Sequence, residues 1–286
     1  MMTASPRAPS PIQAPDIVLY HADCADGFGS AWSIWKKFPA AQFIPVKHGF
    51  PPPPDLANRH VVIVDFSYAR PLLDTMAKEA ASLLILDHHI TAQQALENFP
   101  HAYFDLKKSG AVLAWEWAHQ TPAPWLPQYI QDKDLWHWAL PDSREITAAL
   151  SSYPFDFALW DSFNREALIA EGKAILRYEQ EMIGKILAEA VTVTFHGHKI
   201  PTVQSTILTS QIGERLAKGH PFCLIWHDKD GRRYFSMRSA PDGADVAAIA
   251  IQHGGGGHTH AAGFSVPLSE AVPDPLAPLF HTQAKK

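Results

Sequence analysis

Cysteine is scarce: the 286 residues hold two, Cys24 and Cys223. No disulfide framework is implied, and a reducing, cytoplasmic location is expected. Long apolar runs are missing as well. None approaches the ~20 residues a bilayer span demands, so no membrane helix is expected. Positive charge is short: Lys and Arg number 24 against 29 Asp and Glu, a formal charge of −5 with a pI near 6.3. That balance argues against a surface built to grip long duplex nucleic acid. It leaves room for a short anionic substrate held by metal ions and a few cations. The opening MMTASPRAPSPIQAP has no apolar core of the signal-peptide kind, and its Pro/Ala/Ser bias marks residues 1–15 as a disordered leader. Residues 271–286 form a similar tail, with 276–280 apolar enough to dock. No internal repeat is evident.

Hydrophobic residues make up 47% of the chain, enough for a substantial core. DIVLY (16–20), HVVIVD (60–65) and SLLILD (82–87) have the continuous apolar character of strands buried on both faces. Helical patterns alternate with them: AWSIWKKF, RPLLDTMAKEA, and GAVLAWEWAH (110–119) with Ser109 as N-cap. This order predicts an α/β fold with a covered parallel sheet over residues 16–161. Residues 162–190 follow as one long connecting helix. Residues 191–270 then show a hairpin pattern, two further strands and a short helix, and are expected to form a smaller mixed α/β domain.

Three of the apolar strands end in acids and imidazoles. The first delivers His21, Asp23 and Asp26, the second Asp65, and the third Asp87, His88 and His89. In open parallel sheets ligands bind outside the carboxyl ends of strands. Any one of these residues alone is better explained as a cap or a surface group. Three strand ends together point to a site, because unpaired buried carboxylates cost several kcal/mol each. Divalent metals supply the missing counter-charge, and carboxylate with imidazole suits Mn²⁺, Fe²⁺, Zn²⁺ or Mg²⁺. Several carboxylates in one place favour two ions, the arrangement suited to in-line displacement at phosphorus.

VLYHADCADGFGS, VVIVDFSY, LLILDHHIT and IQDKD occur in the order of four motifs of the DHH phosphoesterases, and GGGGHTHAAGF (254–264) resembles the glycine–histidine motif of the domain that accompanies them. The chain is thus similar to that family over residues 16–267. The resemblance implies cleavage of phosphodiester or phosphoanhydride bonds with two divalent metals, usually manganese. It implies His21 on the first ion, Asp65 bridging, and Asp26, His88 and Asp132 on the second, with Asp134 a rival to Asp132. Asp87 would fix the tautomer of a neighbouring imidazole, and His89 would face the scissile phosphate. The family's first motif is His-x-x-x-Asp-x-Asp; HADCAD is one residue short, so either Asp23 or Cys24 completes the first metal, and Asp23 is slightly preferred for hard-ion chemistry. Gly255, Gly256, Gly257 and His258 would approach substrate phosphate through backbone N–H groups and an imidazole, and Arg238 would bind phosphate.

The function expected is hydrolysis of short oligonucleotides or dinucleotides to nucleoside 5′-monophosphates, in a monomer or homo-oligomer. The alternatives are a nucleotide sensor with a degenerate first metal site and a polyphosphate or pyrophosphate hydrolase. Trp136 and Trp138 in DLWHW suit core packing better than base stacking, and His196 and His198 are expected on the surface of a hairpin turn.

Overall fold

The computed structural model describes residues 13–268. Most of the expected leader and all of the tail at 271–286, with its apolar 276–280, lie outside the described residues. The chain divides into two compact units between Leu176 and Arg177.

The first unit begins with β1 (Ile17–His21), α1 (Ala25–Trp35), β2 (Gln42–Val46), β3 (His60–Val64), α2 (Arg70–Glu79), β4 (Ser82–Asp87), α3 (Ile90–Ala95), β5 (Ala102–Phe104) and α4 (Gly110–His119). The five strands form one sheet in the order β2-β1-β3-β4-β5, and every neighbouring pair is parallel. Alternation along the strands explains why they look apolar throughout. Ile17, Leu19, Val61, Ile63, Leu83 and Ile85 pack toward Leu73 and Met76 of α2. Val18, Val62, Val64 and Leu86 pack with Ile34 of α1 and with Ala114 and Trp117 of α4. Both faces are covered, as a parallel sheet requires.

Helix α1 starts at Ala25, earlier than its apolar pattern implied, because the glycines before that pattern are helical contacts rather than loop residues. A Cβ on Gly27 would stand 2.2 Å from the His21 carbonyl oxygen. Only glycine lets the helix lie so close to the end of β1. The edge strand β2 was not anticipated; it contains Pro45. Val46 and Gln42 bond toward the β1 side, with Ala22 N donating to Val46 O and Gln42 N to Asp16 O. Strand alternation therefore turns the position of Pro45 to the open edge, where its missing N–H breaks no pairing.

Helices α5 (Trp125–Asp134), α6 (Ser143–Leu150) and α7 (Phe157–Asp161) complete the first unit, and α8 (Arg165–Leu187) carries the chain into the second. The second unit contains β6 (Val191–Phe195), β7 (His198–Gln204), α9 (Thr209–Leu216), β8 (Cys223–Lys229), β9 (Arg232–Arg238), α10 (Val246–Gln252), β10 (Gly256–His258) and β11 (Ala261–Pro267). Its sheet has the order β10-β11-β9-β8-β7-β6, with β7–β8 parallel and the other pairs antiparallel. The β6–β7 turn has His196 and Gly197 at φ +48° and +77°, the left-handed pair that a tight hairpin requires. The glycine-rich run is not an open loop: Gly256, Gly257 and His258 pair with Gly263, Ala262 and Ala261. A Cβ on Gly255 would lie 2.1 Å from the Gly263 carbonyl oxygen, so glycine permits this backbone approach. Among the described residues, no helix is long and apolar enough to cross a membrane.

Candidate metal centre

Adjacent strands lie about 4.8 Å apart, so the ends of β1, β3 and β4 bring remote sequence segments side by side. His21 ends β1, Asp65 follows β3, and Asp87 ends β4, continuing into His88 and His89. The donors form three sets, each with its ligand atoms within 4.8 Å of one another: His21, Cys24 and Asp65; Asp65, Asp87, His88 and His89; and Asp26, His88 and Asp134. Asp65 belongs to the first two sets and His88 to the last two.

Asp65 is 2% exposed. Its Oδ1 lies 3.1 Å from His88 Nε2. Its Oδ2 is buried without a hydrogen-bond partner, and His21 Nδ1 stands 3.5 Å away. A buried carboxylate oxygen is costly to leave unpaired, and this one sits between two groups of metal-type donors. Burial works against the charge on Asp65, but the imidazoles of His21, His88 and His89 outweigh it and hold the carboxyl below its ordinary range. Burial and the negative charges of Asp134 and Asp65 push Asp26 well above it. Burial also disfavours an imidazolium at His88, yet Asp65, Asp26 and Asp134 together raise its pKa to about 10. The pocket thus draws in positive charge, which a divalent cation supplies in place of protons. The donors present fit such ions.

Asp26 also locks α4 in place. Its Oδ2 accepts from Gly110 N at 2.6 Å and its Oδ1 from Ala111 N at 2.9 Å, a carboxylate at a helix N-terminus. Ser109 caps the same helix, accepting from Val112 N. A Cβ on Gly110 would lie 2.6 Å from Asp65 Cβ and 2.7 Å from Ser30 Oγ. Asp87, 1% exposed, accepts at Oδ1 from the His88 amide at 2.7 Å and lies 2.7 Å from His89 Nδ1. Burial opposes charge on His89, and Asp87 reverses this, raising the imidazole above its ordinary value.

Asp23 and Asp132 fall outside these donor sets, while Cys24 and Asp134 fall within them. Asp23, at φ +57°, turns outward, 75% exposed and paired with Lys47. Cys24 takes its place beside His21 and Asp65. Burial, then the charges of Asp65 and Asp26, pushes the Cys24 thiol far up. Asp132 likewise lies outside the three sets. It is 4% exposed, and its carboxylate accepts from Ala139 N at 2.9 Å and Leu140 N at 3.2 Å. Asp134 instead reaches the cluster, its Oδ2 3.6 Å from His88 Nε2. The sequence reading also passed over His48, whose ring centroid is 5.8 Å from that of His21. Its position in KHGF, just past the apolar edge of β2, was the available signal.

In the second unit, Arg238 donates to Met237 O at 2.8 Å and Ser210 Oγ at 3.1 Å. Arg238, Ala261 and His258 are register partners across β9, β11 and β10, so they share one face of the sheet.

No protein-family model matches the chain. An uncharacterized protein, R106, of Acanthamoeba polyphaga mimivirus is 33% identical, covering 87% of this chain and 67% of its own length. Oligoribonuclease NrnB of Bacillus subtilis is 26% identical over 64% of this chain. This chain spans only about half of NrnB, 52%. Among solved structures, RecJ of Thermus thermophilus in complex with Mn²⁺ superposes with a TM-score of 0.52 at 18% identity, covering 95% of this chain and 51% of RecJ; at that identity the likeness is one of fold. With four motifs in order along this chain and an Asp-His-His where β4 ends, the chain belongs to the DHH family of phosphoesterases.

Proposed function

We propose that this chain is a metal-dependent phosphodiesterase that hydrolyses short oligonucleotides or dinucleotides to nucleoside 5′-monophosphates. The observation that carries the reading is Asp65: one buried carboxylate shared by two donor sets, with one oxygen unpartnered. His21, Cys24 and Asp65 would hold one divalent ion, and Asp26, His88 and Asp134 a second, with Asp65 Oδ1 3.1 Å from the His88 Nε2 of that second set. When bound, such ions supply Lewis-acid polarisation of the phosphoryl group and a water acidic enough to attack phosphorus. Mn²⁺ is the first candidate, and the Cys24 thiolate adds a softer ligand that brings Zn²⁺ and Fe²⁺ into contention.

The chain's own residues do the rest. Asp87 holds His89 by Nδ1 and so fixes the orientation of a ring that is 32% exposed. Protonated, His89 donates to a phosphate oxygen as charge builds there. In the second unit, Arg238 and His258 share one sheet face and are the candidate phosphate contacts there, with Gly256, where an added Cβ meets nothing within 4 Å, leaving the backbone beside them open. The name of NrnB supports oligoribonucleotides as the substrate class.

Mass-spectrometric product analysis tests this reading with a panel of 5′-phosphorylated dinucleotides, longer oligomers and inorganic polyphosphate, each with Mn²⁺, Zn²⁺ and Mg²⁺. Nucleoside 5′-monophosphates released from the short substrates are expected. Release of orthophosphate from polyphosphate, with nucleotides untouched, would overturn it.

A further inference from the structure

Trp136 does not pack as the sequence led one to expect, whereas Trp138 is half-buried. Trp136 is 44% exposed, among the largest apolar side chains left open to solvent. It follows Asp134 by two residues, so their Cα atoms are within about 7 Å, and Asp134 belongs to the donor set of the metal centre. Both tryptophans occupy the left-handed region, at φ +58° and +51°. That conformation is unfavourable for bulky L residues and persists only where the surroundings impose it.

Asp132 imposes it here. Its backbone oxygen accepts from His137 N at 2.9 Å and Trp138 N at 3.3 Å, while its carboxylate accepts from Ala139 N and Leu140 N. One buried residue thus fastens four successive amides. Burial opposes its charge, and donors that include those two side-chain-bound amides more than compensate, holding its pKa below the ordinary value. Trp138 stands edge-on to Trp136, ring centroids 5.1 Å apart, and the Arg144 guanidinium lies 4.2 Å from the Trp138 ring centroid. The turn is strained, firmly anchored and backed by a second ring, and what it presents is an exposed indole.

We infer that Trp136 is the stacking platform for a nucleobase of the substrate, adjacent to the phosphate held at the metal centre. This rests on the nucleotide-directed reading above and deepens it. An indole face accepts any base, so the platform selects nucleotides over inorganic polyphosphate without selecting a sequence. It also gives a short substrate a contact that a weakly charged chain surface does not provide.

The test compares a 5′-phosphorylated diadenylate with the same molecule bearing an abasic sugar in place of either nucleoside. The variants are Trp136→Gly, which suits the left-handed backbone and removes the ring, and Trp136→Phe, which keeps a smaller ring. In Trp136→Gly, KM for the diadenylate rises about tenfold or more, kcat stays within about twofold, and Trp136→Phe recovers most of the loss. The wild-type advantage of the diadenylate over one of the two abasic analogues disappears in Trp136→Gly, and this identifies the base that stacks. Because both variants share the backbone strain differently, their melting temperatures are read alongside. A Trp136→Gly enzyme with unchanged KM, or one that loses diadenylate and both abasic analogues equally, overturns the platform while leaving the phosphodiesterase intact. A wild type that hydrolyses polyphosphate and no nucleotide overturns both.

Discussion

Asp132 and Asp134 are separated by a single lysine in IQDKD, yet they face about 200° apart around α5. Only one can reach His88, and the sequence does not say which, because both faces of this helix bury something. The structure gives the cluster to Asp134 and the tryptophan-bearing turn to Asp132. The two substitutions should therefore separate cleanly. Asp134→Asn should weaken Mn²⁺ binding by about tenfold or more, as loss of a direct ligand would, with little change in melting temperature. Asp132→Asn should cost about 1–3 kcal/mol of stability, because it removes charge from a buried acceptor. Calorimetric metal titration and thermal melts on the same pair of proteins check this, and a reversed pattern would return the ligand role to Asp132. A similar ambiguity hid in HADCAD: spacing left Asp23 and Cys24 open, and the left-handed backbone at Asp23, invisible in composition, turned the carboxylate toward Lys47.

At the level of elements, the strands that carry the site were the most legible. Val61, Val62, Ile63 and Val64 are buried on both faces, so their apolarity is continuous and the acid that ends it stands out. Strands β2 and β5 escaped notice because they are peripheral, one carrying a proline and the other only three residues long. The strand at Gly256–His258 was hidden because glycine gives no side-chain pattern to read. Helix α4 was legible from its cap, but its second task was not: its first two amides donate to Asp26, and its first residue must be glycine to clear Asp65. Gly110→Ala should thus destabilise the protein by about 1–3 kcal/mol through overpacking and lower Mn²⁺-dependent turnover disproportionately, since the displaced atom is the Asp65 Cβ that carries the shared carboxylate. Equal loss of turnover from an Ala substitution at Gly184, where an added Cβ meets nothing within 4 Å, would show the effect to be nonspecific.

At the scale of the whole molecule, each unit has its own sheet and apolar clusters, while among the described residues the donor sets of the candidate metal centre belong to the first. Ions that bind the folded state raise its stability by mass action, by about 2.7 kcal/mol at one hundred times Kd. Differential scanning calorimetry in Mn²⁺ at that level should move the unfolding of the first unit up by about 5–10 °C and leave that of the second in place. A chelator should reverse the shift, and an unmoved first transition would remove the centre as drawn. The outer rim of the first sheet bears on assembly too. Where a neighbouring copy would seek an amide proton at Pro45, β2 presents a ring carbon, so a strand added on that flank would lose one rung of its ladder and self-association through this edge is disfavoured.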